Sequence, residues 1–347
     1  MTGASPTQRA LTTDDVTYLL RASFGSRTGV RDAGPLTGGG YATVWWALLE
    51  DGRRVVLKLA PPPGLRLLRY ERGLCSAEAR YFRLVGERAP AVPVPPVLHH
   101  GTDPAYGEWL VTGLLPGRSL RELAESGVAV DDGPARYDLG VALAALHRIT
   151  GDRFGYDDGD RASGSTWREA FTAMLDALLA DAADWGVALP VAPDRLRTLV
   201  GRHADVLDEV RRPALLHFDC WDGNVLTAPG PDGRLRLCGL VDGERFLHGD
   251  PLLDLVPPLL YRRVEDDPEH PLLRGYRAAT AEPLVLDAAA RRRLGLYRLH
   301  LYLLMTVEMP SRGMTVHSHP QRHARLATLL GAEIAALNPL SGRGRHP

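Results

Sequence analysis

The segment from His217 to Asp242 constrains this chain more than any other. It begins with HFDCWDGN and, after an apolar run, ends with GLVD. Asp219 precedes Asn224 by five residues, and Asp242 follows Asn224 by 18. Phosphoryl transfer from a nucleotide needs one carboxylate to orient the attacking hydroxyl, and an amide oxygen with a second carboxylate to hold Mg²⁺. The spacing predicts that Asp219 is catalytic and that Asn224 and Asp242 are metal ligands.

Lys58 is the sole lysine among 41 basic residues, so the other 40 are arginines. A compact ammonium reaches nucleotide phosphates in a way that the planar guanidinium does not. Chance survival in a lysine-poor sequence is the alternative. A lysine in this position needs an acid to hold it; Glu78 on the following predicted helix is the candidate, and Glu71 is the second choice.

A glycine run, Gly38, Gly39 and Gly40, lies about 20 residues before Lys58. Glycines allow backbone N–H groups to approach phosphate oxygens without a Cβ in the way. An ordinary turn explains such a run equally well, and no Gly-Lys-Ser/Thr follows it as in a Walker A loop. We predict that these glycines and Lys58 bind the nucleotide.

The bulk properties exclude several classes of protein. A chain of 347 residues is long enough for two lobes, and its net charge of −1 favours neither nucleic acid nor an anionic membrane. No apolar run approaches the roughly 20 residues that span a bilayer, and the first residues lack the apolar core of a signal peptide. The three cysteines lack metal-ligand spacing, so we expect a cytoplasmic protein with no disulfide framework and no zinc site.

The patterns predict an α+β fold in two parts. Residues 1–113 form a nucleotide-binding lobe, and residues 114–347 form a mostly helical lobe for catalysis and substrate binding. The first part combines a helix at 12–23, a hairpin of strands 43–49 and 53–59, one long helix at 70–88, an extended segment at 91–98 and a strand at 109–112. The second part is predicted to contain helices at 117–126, 134–149, 166–185, 194–211, 287–309 and 318–337, interrupted by short strands at 225–226 and 235–241.

Several residues near the key segment are predicted to have structural roles. His217 shapes the loop, Asp250 and Asp254 anchor it by hydrogen bonds, and Cys220 and Cys238 are buried as small hydrophobic side chains.

The motifs now described resemble those of the aminoglycoside phosphotransferase family, within the protein-kinase-like superfamily. HFDCWDGN is similar to the family's catalytic loop, VDGE (241–244) to its metal motif, and GDPLLD (249–254) to the segment that follows. LLPGRSL (114–120) resembles the linker after the hinge. The resemblance implies a protein-kinase-like fold of two lobes, with an antiparallel sheet and one long helix in the first and mostly helices in the second. It also implies that backbone groups near Gly113 and Leu115 contact the base of ATP, with GTP as the alternative. Gly243 and Phe218 depart from the family's usual aromatic and glycine residues.

The resemblance also implies a small-molecule acceptor with a hydroxyl group. No long activation segment and no Ala-Pro-Glu motif follow Asp242, which argues against a protein kinase. An antibiotic acceptor, and hence resistance, is the first hypothesis. A housekeeping kinase of a sugar or amino alcohol is the second, and a non-catalytic nucleotide-binding module is the third. The protein is expected to be a monomer or a homodimer.

The sequence indicates least about which residues bind the acceptor. Asp222, Trp221, Tyr302 and Glu308 are candidates. A polycationic aminoglycoside requires an acidic pocket, whereas stacking aromatics suit a nucleoside or another aromatic compound. Further acids considered for a cationic acceptor are Glu169, Asp176, Asp181, Asp184, Glu265, Asp266 and Asp267. Further rings considered are Tyr297 and His300.

Overall fold

The computed structural model describes residues 5–36, 38–127, 129–158, 161–281 and 283–338. The helices are α1 (Thr13–Phe24), α2 (Leu74–Arg88), α3 (Leu120–Glu125), α4 (Gly133–Leu146), α5 (Trp167–Asp184), α6 (Pro193–Gly201), α7 (Ala204–Leu207), α8 (Pro271–Ala279), α9 (Ala288–Val307) and α10 (Pro320–Leu337). The strands are β1 (Val30–Pro35), β2 (Thr43–Leu49), β3 (Arg54–Leu59), β4 (Val97–Asp103), β5 (Gly107–Gly113), β6 (Arg118–Ser119), β7 (Phe154–Gly155), β8 (Ser163–Gly164), β9 (Ala214–Leu216), β10 (Val225–Pro229), β11 (Leu235–Leu240) and β12 (Leu247–Gly249).

The first part of the chain is an antiparallel sheet of five strands in the order β1-β2-β3-β5-β4. Lys58 lies in the central strand β3, opposite Val44 of β2 and Leu110 of β5. Neighbours on both sides fix the backbone of this strand by hydrogen bonds, so the root of the Lys58 side chain has a fixed position.

Each face of this sheet is covered by one helix. On one face, α1 buries Val16, Leu19 and Leu20 in a cluster with strand residues such as Leu57 and Val111. A capping box starts α1, because the Thr12 side chain accepts from the Asp15 backbone and Asp15 accepts from the Thr12 backbone. The other face packs against α2, whose buried residues join the main core of the molecule.

The helical part is built around α9, which is buried on nearly all sides. Helices α4 and α8 pack at very short range through two glycines. A Cβ on Gly140 would lie 2.1 Å from the Leu272 carbonyl oxygen, and one on Gly275 would lie 1.9 Å from the Tyr137 carbonyl oxygen. Any side chain at either position would force these two helices apart.

Two small sheets frame the segment that carries the predicted catalytic residues. The hairpin of β10 and β11 pairs with β6, and β9 lies in a second sheet of order β8-β7-β12-β9. The loop from His217 to Asn224 therefore connects an edge strand of one sheet to the central strand of the other. Both of its ends are held by strand pairing.

The structure confirms the α+β class and an antiparallel sheet with one long helix ahead of a helical region. The predicted helix 194–211 is wrong as one element, because α6 ends at Gly201 and α7 begins at Ala204, and the backbone of His203 between them leaves the helical conformation. Helix α8 and strand β1 were not predicted. Within the described residues, no helix is long and apolar enough to cross a membrane.

Candidate active site between the sheet and the helical region

Lys58 is the centre of the site. Its Nζ atom lies 2.8 Å from Glu78 Oε2, 2.8 Å from Asp242 Oδ1 and 2.7 Å from Glu244 Oε2. Glu78 lies on α2, whereas Asp242 and Glu244 follow β11. One ammonium thus joins the sheet, the long helix and the helical region. Glu71, the second choice as partner, is instead bound by Arg312.

The charges around Lys58 do not balance. With all three carboxylates ionised, the group carries a formal charge of −2 in a site where Lys58 is 9% exposed and Glu78 is 2% exposed, and with Glu78 protonated the charge is −1. Burial raises the pKa of Glu78 to about 8, against the opposing effect of Lys58. Burial alone would raise the pKa of Asp242 as well, but the adjacent ammonium holds it below its usual value. The excess negative charge is suited to a divalent cation.

The loop from His217 to Asn224 has a backbone conformation that residues other than glycine rarely adopt. Phe218 has φ 62° in the left-handed region. Asp254 stabilises it, because its two carboxylate oxygens accept from the backbone N–H groups of His217 (2.8 Å) and Phe218 (2.6 Å). His147 in turn contacts Asp254 at 3.1 Å. The predicted anchoring by Asp254 is therefore present. Asp250 contacts Tyr297, Arg293 and the Leu252 backbone instead of the loop.

The loop places the side chains of Asp219 and Asn224 together. Asn224 Nδ2 donates to the Asp219 carbonyl oxygen at 2.9 Å and to its carboxylate Oδ2 at 3.2 Å. The Asp219 side chain is 20% exposed, and Arg245 Nε lies 3.9 Å from its Oδ2 atom. Burial raises the pKa of Asp219 to about 7, helped by nearby Asp242 and Glu308 and opposed by Arg245. A carboxylate with this pKa can exchange a proton near neutrality.

Asp242 also has a left-handed backbone, with φ 58° and ψ 47°. The next residue must be small, because a Cβ on Gly243 would lie 2.1 Å from the Tyr81 ring. Tyr81 also contacts the rings of His217 and Phe246, at centroid distances of 5.3 and 5.5 Å. The ring on α2 thus fills the space beside the acid, which explains why this chain has glycine where the resemblance led us to expect an aromatic residue.

The residues predicted to bind Mg²⁺ fit that ion. Asn224 uses its Nδ2 group for Asp219, so its Oδ1 atom remains unpaired among the described residues. Asp242 uses Oδ1 for Lys58, and its Oδ2 atom likewise accepts no hydrogen bond there. The Asp242 side chain is 40% exposed. Two hard oxygen ligands next to excess negative charge are what Mg²⁺ requires.

The glycine run forms an exposed loop between β1 and β2. Gly38 has φ 124°, which favours glycine, and no backbone N–H of Gly38, Gly39 or Gly40 donates to another described residue. The N-terminal segment holds the loop from outside: Thr7 Oγ1 donates to the Gly40 carbonyl and Gln8 Nε2 to the Gly39 carbonyl. The three N–H groups therefore remain available to an anion.

The predicted base-contacting segment follows β5. The N–H of Gly113 donates to Pro96 and the N–H of Leu114 donates to Arg54, both at 3.0 Å, so neither amide is free to bind a base. The N–H of Leu115 has no acceptor among the described residues. Of these three amides, Leu115 is the one that is able to donate to a nucleotide base.

A second group of acids is paired with arginines. Arg245 Nη2 donates to Glu308 Oε1 at 2.7 Å, and the Tyr70 hydroxyl donates to the same oxygen. Arg312 donates to Glu71, whose side chain is fully buried. Glu71 is thus paired with Arg312, and Arg245 contacts both Glu308 and Asp219.

The residues predicted to bind the acceptor occupy very different environments. Glu308 lies beside Arg245, near Asp219, but its carboxylate is already paired. Asp222 accepts two hydrogen bonds of 3.0 Å from Arg136, and the Trp221 ring is covered by the Arg121 guanidinium, 5.4 Å from its centroid. Tyr302 is 2% exposed in the core, so the structure does not support stacking of its ring on an acceptor.

The other acids and rings considered for the acceptor are also largely engaged. Tyr297 and His300 are buried in α9. Glu169 caps the start of α5. Four acids form ion pairs, Asp176 with Arg197, Asp181 and Asp184 with Arg69, and Glu265 with Arg298. Asp266 and Asp267 form no ion pair with any described residue.

Lys58 contacts acids from the long helix and from the segment after β11, and Asp219 and Asn224 lie together on the loop between β9 and β10. This arrangement fits a phosphotransferase of the protein-kinase-like fold. A family model described as "APH: Phosphotransferase enzyme family" matches residues 32–297. The chain belongs to this family, that of the aminoglycoside phosphotransferases, and is a small-molecule phosphotransferase. No curated protein matches its sequence significantly.

Solved structures share the fold at low sequence identity. A proposed fructosamine-3-kinase from Thermobifida fusca YX-ER1 is 20% identical, with a TM-score of 0.64 over 92% of this chain and 100% of the other. A thermostable mutant of the aminoglycoside phosphotransferase APH(4)-Ia, in a ternary complex with AMP-PNP and hygromycin B, is 18% identical, with a TM-score of 0.58 over 94% and 99%. The GDP and kanamycin complex of APH(2")-IIia is 16% identical, with a TM-score of 0.59 over 92% and 98%.

Sequence reasoning missed two residues of the site. Glu244 contacts Lys58, and its signal was its place in the VDGE motif. Arg245 lies between Asp219 and Glu308. One arginine among 40 carries no signal of its own, so only the fold reveals it.

Proposed function

We propose that this protein transfers the γ-phosphoryl group of ATP to a hydroxyl group of a small molecule. The observation that carries the proposal is the convergence of Glu78, Asp242 and Glu244 on Lys58, next to Asp219 and Asn224. In this arrangement Lys58 binds phosphate oxygens, the amides of the glycine loop cover them, and the N–H of Leu115 donates to the base. The nucleotide-binding part is proposed to end at Gly113, where β5 ends.

The residues of the catalytic loop orient the acceptor. Asp219 accepts a hydrogen bond from the attacking hydroxyl and takes up its proton as the bond to phosphorus forms. Asn224 fixes the Asp219 carboxylate through Nδ2. Arg245 places positive charge beside that carboxylate and keeps its pKa from rising further. Bound at Asn224 Oδ1 and Asp242 Oδ2, Mg²⁺ would neutralise charge on the phosphates.

The charge balance of the acceptor side bears on the kind of acceptor. Glu265 and Glu308 each contact an arginine of the same chain, and Asp181 and Asp184 share Arg69. A polycation such as an aminoglycoside would compete with these arginines for the four carboxylates. We therefore favour a neutral or weakly charged alcohol, which suits both a non-cationic antibiotic and a metabolic sugar.

The test is a mass measurement on acceptor mixtures incubated with the protein, ATP and Mg²⁺. A gain of ~80 Da, one phosphoryl group, on a single compound supports the proposal. The Asp219→Asn variant serves as control and should form this product at least about 10²-fold more slowly. Nucleotide binding without transfer to any sugar, amino alcohol, nucleoside or antibiotic would favour a non-catalytic module instead. Repeating the assay with GTP decides the nucleotide preference.

A resistance role is a separate question from the reaction. Expression of the gene in a sensitive bacterium, against panels of antibiotics, measures it directly. Protection that disappears with Asp219→Asn supports an antibiotic acceptor. If the enzyme phosphorylates a sugar in vitro but gives the bacterium no protection, the housekeeping role is favoured.

A further inference from the structure

Three potential metal ligands of different chemistry meet on the face of the sheet that packs against α2. Cys75 lies in the first turn of α2, His100 in β4 and Glu108 in β5. Their sulfur, imidazole nitrogen and carboxylate oxygen atoms all lie within 4.8 Å of one another. This cluster is separate from the oxygen ligands of Asn224 and Asp242 and has no part in the proposed reaction.

The pairing of two strands explains how the cluster forms. His100 pairs with Leu110, and Thr102 pairs with Glu108, so His100 and Glu108 are diagonal neighbours on one face of the hairpin. Ser76 lies on α2, and its hydroxyl donates to Glu108 Oε1. This face of the hairpin therefore packs against α2. The helix then brings Cys75 to the same point. The three residues are 25 and 8 positions apart in the sequence, which is why cysteine spacing predicted no zinc site.

The cluster leaves ligand atoms without partners. His100 Nε2 and the Ser76 hydroxyl both bind Glu108 Oε1, the former at 2.7 Å. Glu108 Oε2 and Cys75 Sγ form no hydrogen bond with any described residue. Cys75 is 6% exposed, and the side chains of His100 and Glu108 are 22% and 20% exposed. Three ligand atoms of types that zinc accepts therefore lie close together, and two of them, Glu108 Oε2 and Cys75 Sγ, are not engaged by any described residue.

We propose that Cys75, His100 and Glu108 bind one zinc ion, with a water molecule as the fourth ligand. A thiolate, an imidazole and a carboxylate form a ligand set that zinc accepts and that Mg²⁺ and Ca²⁺ do not favour. The partial exposure of His100 and Glu108 gives water and the ion a path to the site. Ser76 would remain bound to Glu108 and orient its carboxylate.

Binding requires small side-chain movements and the release of one proton. Ligand atoms of a tetrahedral zinc site lie about 3.5 Å apart, so the present spacing must contract slightly while the His100–Glu108 hydrogen bond opens. The Cys75 thiol loses its proton to water as the sulfur–zinc bond forms. The proton on the His100 nitrogen that donates to Glu108 moves through water to the other ring nitrogen, which leaves a lone pair for zinc. Burial raises the pKa of the Cys75 thiol, so the metal-free site holds a neutral thiol.

An ion at this position would fasten α2 to the sheet. Cys75 precedes Glu78 by three residues, one helical turn, and Glu78 contacts Lys58. Leu110, beside His100, is also the strand partner of Lys58. Zinc would therefore rigidify the element that carries the glutamate of the active site, while its own ligands stay outside the cleft.

The experiment is a Co²⁺ titration of the full-length protein, freed of its affinity tag and of bound metals, without nucleotide or acceptor. Co²⁺ replaces zinc and gives a thiolate charge-transfer band in the near ultraviolet when a cysteine binds it. We expect this band to saturate at one equivalent and to be removed by added zinc. Coordination at Asn224 and Asp242 involves only oxygen and cannot give the band.

Variants assign the ligands. Cys75→Ser should abolish the band, and Cys238→Ser, which removes the partly exposed thiol near Pro116, should keep it. His100→Gln should lose zinc-dependent thermal stabilisation, with circular dichroism showing that it is folded. No thiolate band in the wild-type protein, or a band that survives Cys75→Ser, would overturn the proposal. Either result leaves the proposed phosphotransfer untouched, since no substrate is present.

Discussion

The region around Lys58 and the region around Glu308 differ in how their charged groups are paired. Around Lys58, three carboxylates share one ammonium, and two ligand oxygens remain unpaired among the described residues. On the proposed acceptor side, Glu308 is paired with Arg245. A positively charged ligand would relieve the excess negative charge around Lys58, whereas Glu308 already has a counter-ion.

The difference shows which ligands each side is built to recognise. An excess of buried negative charge is costly and is relieved when a divalent ion and its nucleotide bind. Paired charges offer no such gain, so we propose that the acceptor is recognised by shape and hydrogen bonds. The two sides of the cleft should therefore respond differently to substitution and to Mg²⁺.

The largest expected effect is at Asp219, where the two sides meet. Asp219→Asn should lower turnover by roughly 10²–10⁴-fold, because proton acceptance by the carboxylate is lost. Nucleotide affinity should stay within about twofold of the wild type, since Asn keeps the size and part of the hydrogen bonding. Steady-state kinetics and calorimetric titration measure the two quantities. Asp205→Asn, in an exposed pair with Arg292, is the matched control. Full turnover in Asp219→Asn would remove Asp219 from the mechanism.

The same substitution should stabilise the fold at alkaline pH. The Asp219 pKa is raised from 3.8 to about 7 by burial, so the ionised group destabilises the native state above pH 7. This penalty fades as the pH falls from 7 and is gone below 3.8, where both states are protonated. We expect Asp219→Asn to unfold with about 2 kcal/mol more free energy than wild type at pH 8, and with no gain at pH 4. Denaturant titrations at the two pH values check this; an equal difference at both would mean that the carboxylate is not desolvated.

Lys58→Arg tests the side with unbalanced charge. Net charge is unchanged, but a planar guanidinium cannot approach three carboxylates as a compact ammonium does in a site that is 9% exposed. The kcat/KM for ATP should fall at least tenfold, about 1.4 kcal/mol of transition-state stabilisation. Arg54→Lys, the reverse exchange at an exposed position of the same strand, should have no effect. Equal losses in both variants would point to strand stability instead of phosphate binding.

Glu308→Gln tests the proposed acceptor side, where Glu308 is paired with Arg245, and should have the smallest effect. Arg245 loses a charged partner, so the KM for the acceptor should rise about two- to fivefold, the scale of one hydrogen bond. The KM for ATP should not change. Glu244→Gln, on the Lys58 side, should show the opposite preference. If both variants change the KM for ATP alone, the two sides are not distinct.

Much of this arrangement was predictable because it depends on short, ordered motifs. The spacing of Asp219, Asn224 and Asp242 fixes the loop and strand pair that carry them, and Lys58 stood out by residue type. Glu78 followed from its place on the helix predicted after the strand of Lys58. These features depend on the local sequence or on polar groups that phosphoryl transfer requires.

The remaining features depend on tertiary contacts that no local pattern records. Tyr302 is of a residue type that is common in binding sites, but α9 is buried on nearly all sides and its ring lies in the core. Arg245 became visible only when the fold placed it beside Asp219. The break between α6 and α7 comes directly after Gly201, a residue that is tolerated inside helices as well as at their ends, so the sequence did not distinguish two helices from one.

The most direct test of the charge imbalance is calorimetric binding of AMP-PNP with and without Mg²⁺. If the excess negative charge around Lys58 is part of the nucleotide site, the metal-free nucleotide should bind at least tenfold more weakly, a difference of about 1.4 kcal/mol. In Asp242→Asn, which removes one carboxylate and one ligand, that dependence on Mg²⁺ should shrink. Equal affinity with and without Mg²⁺ in the wild-type protein would contradict the account.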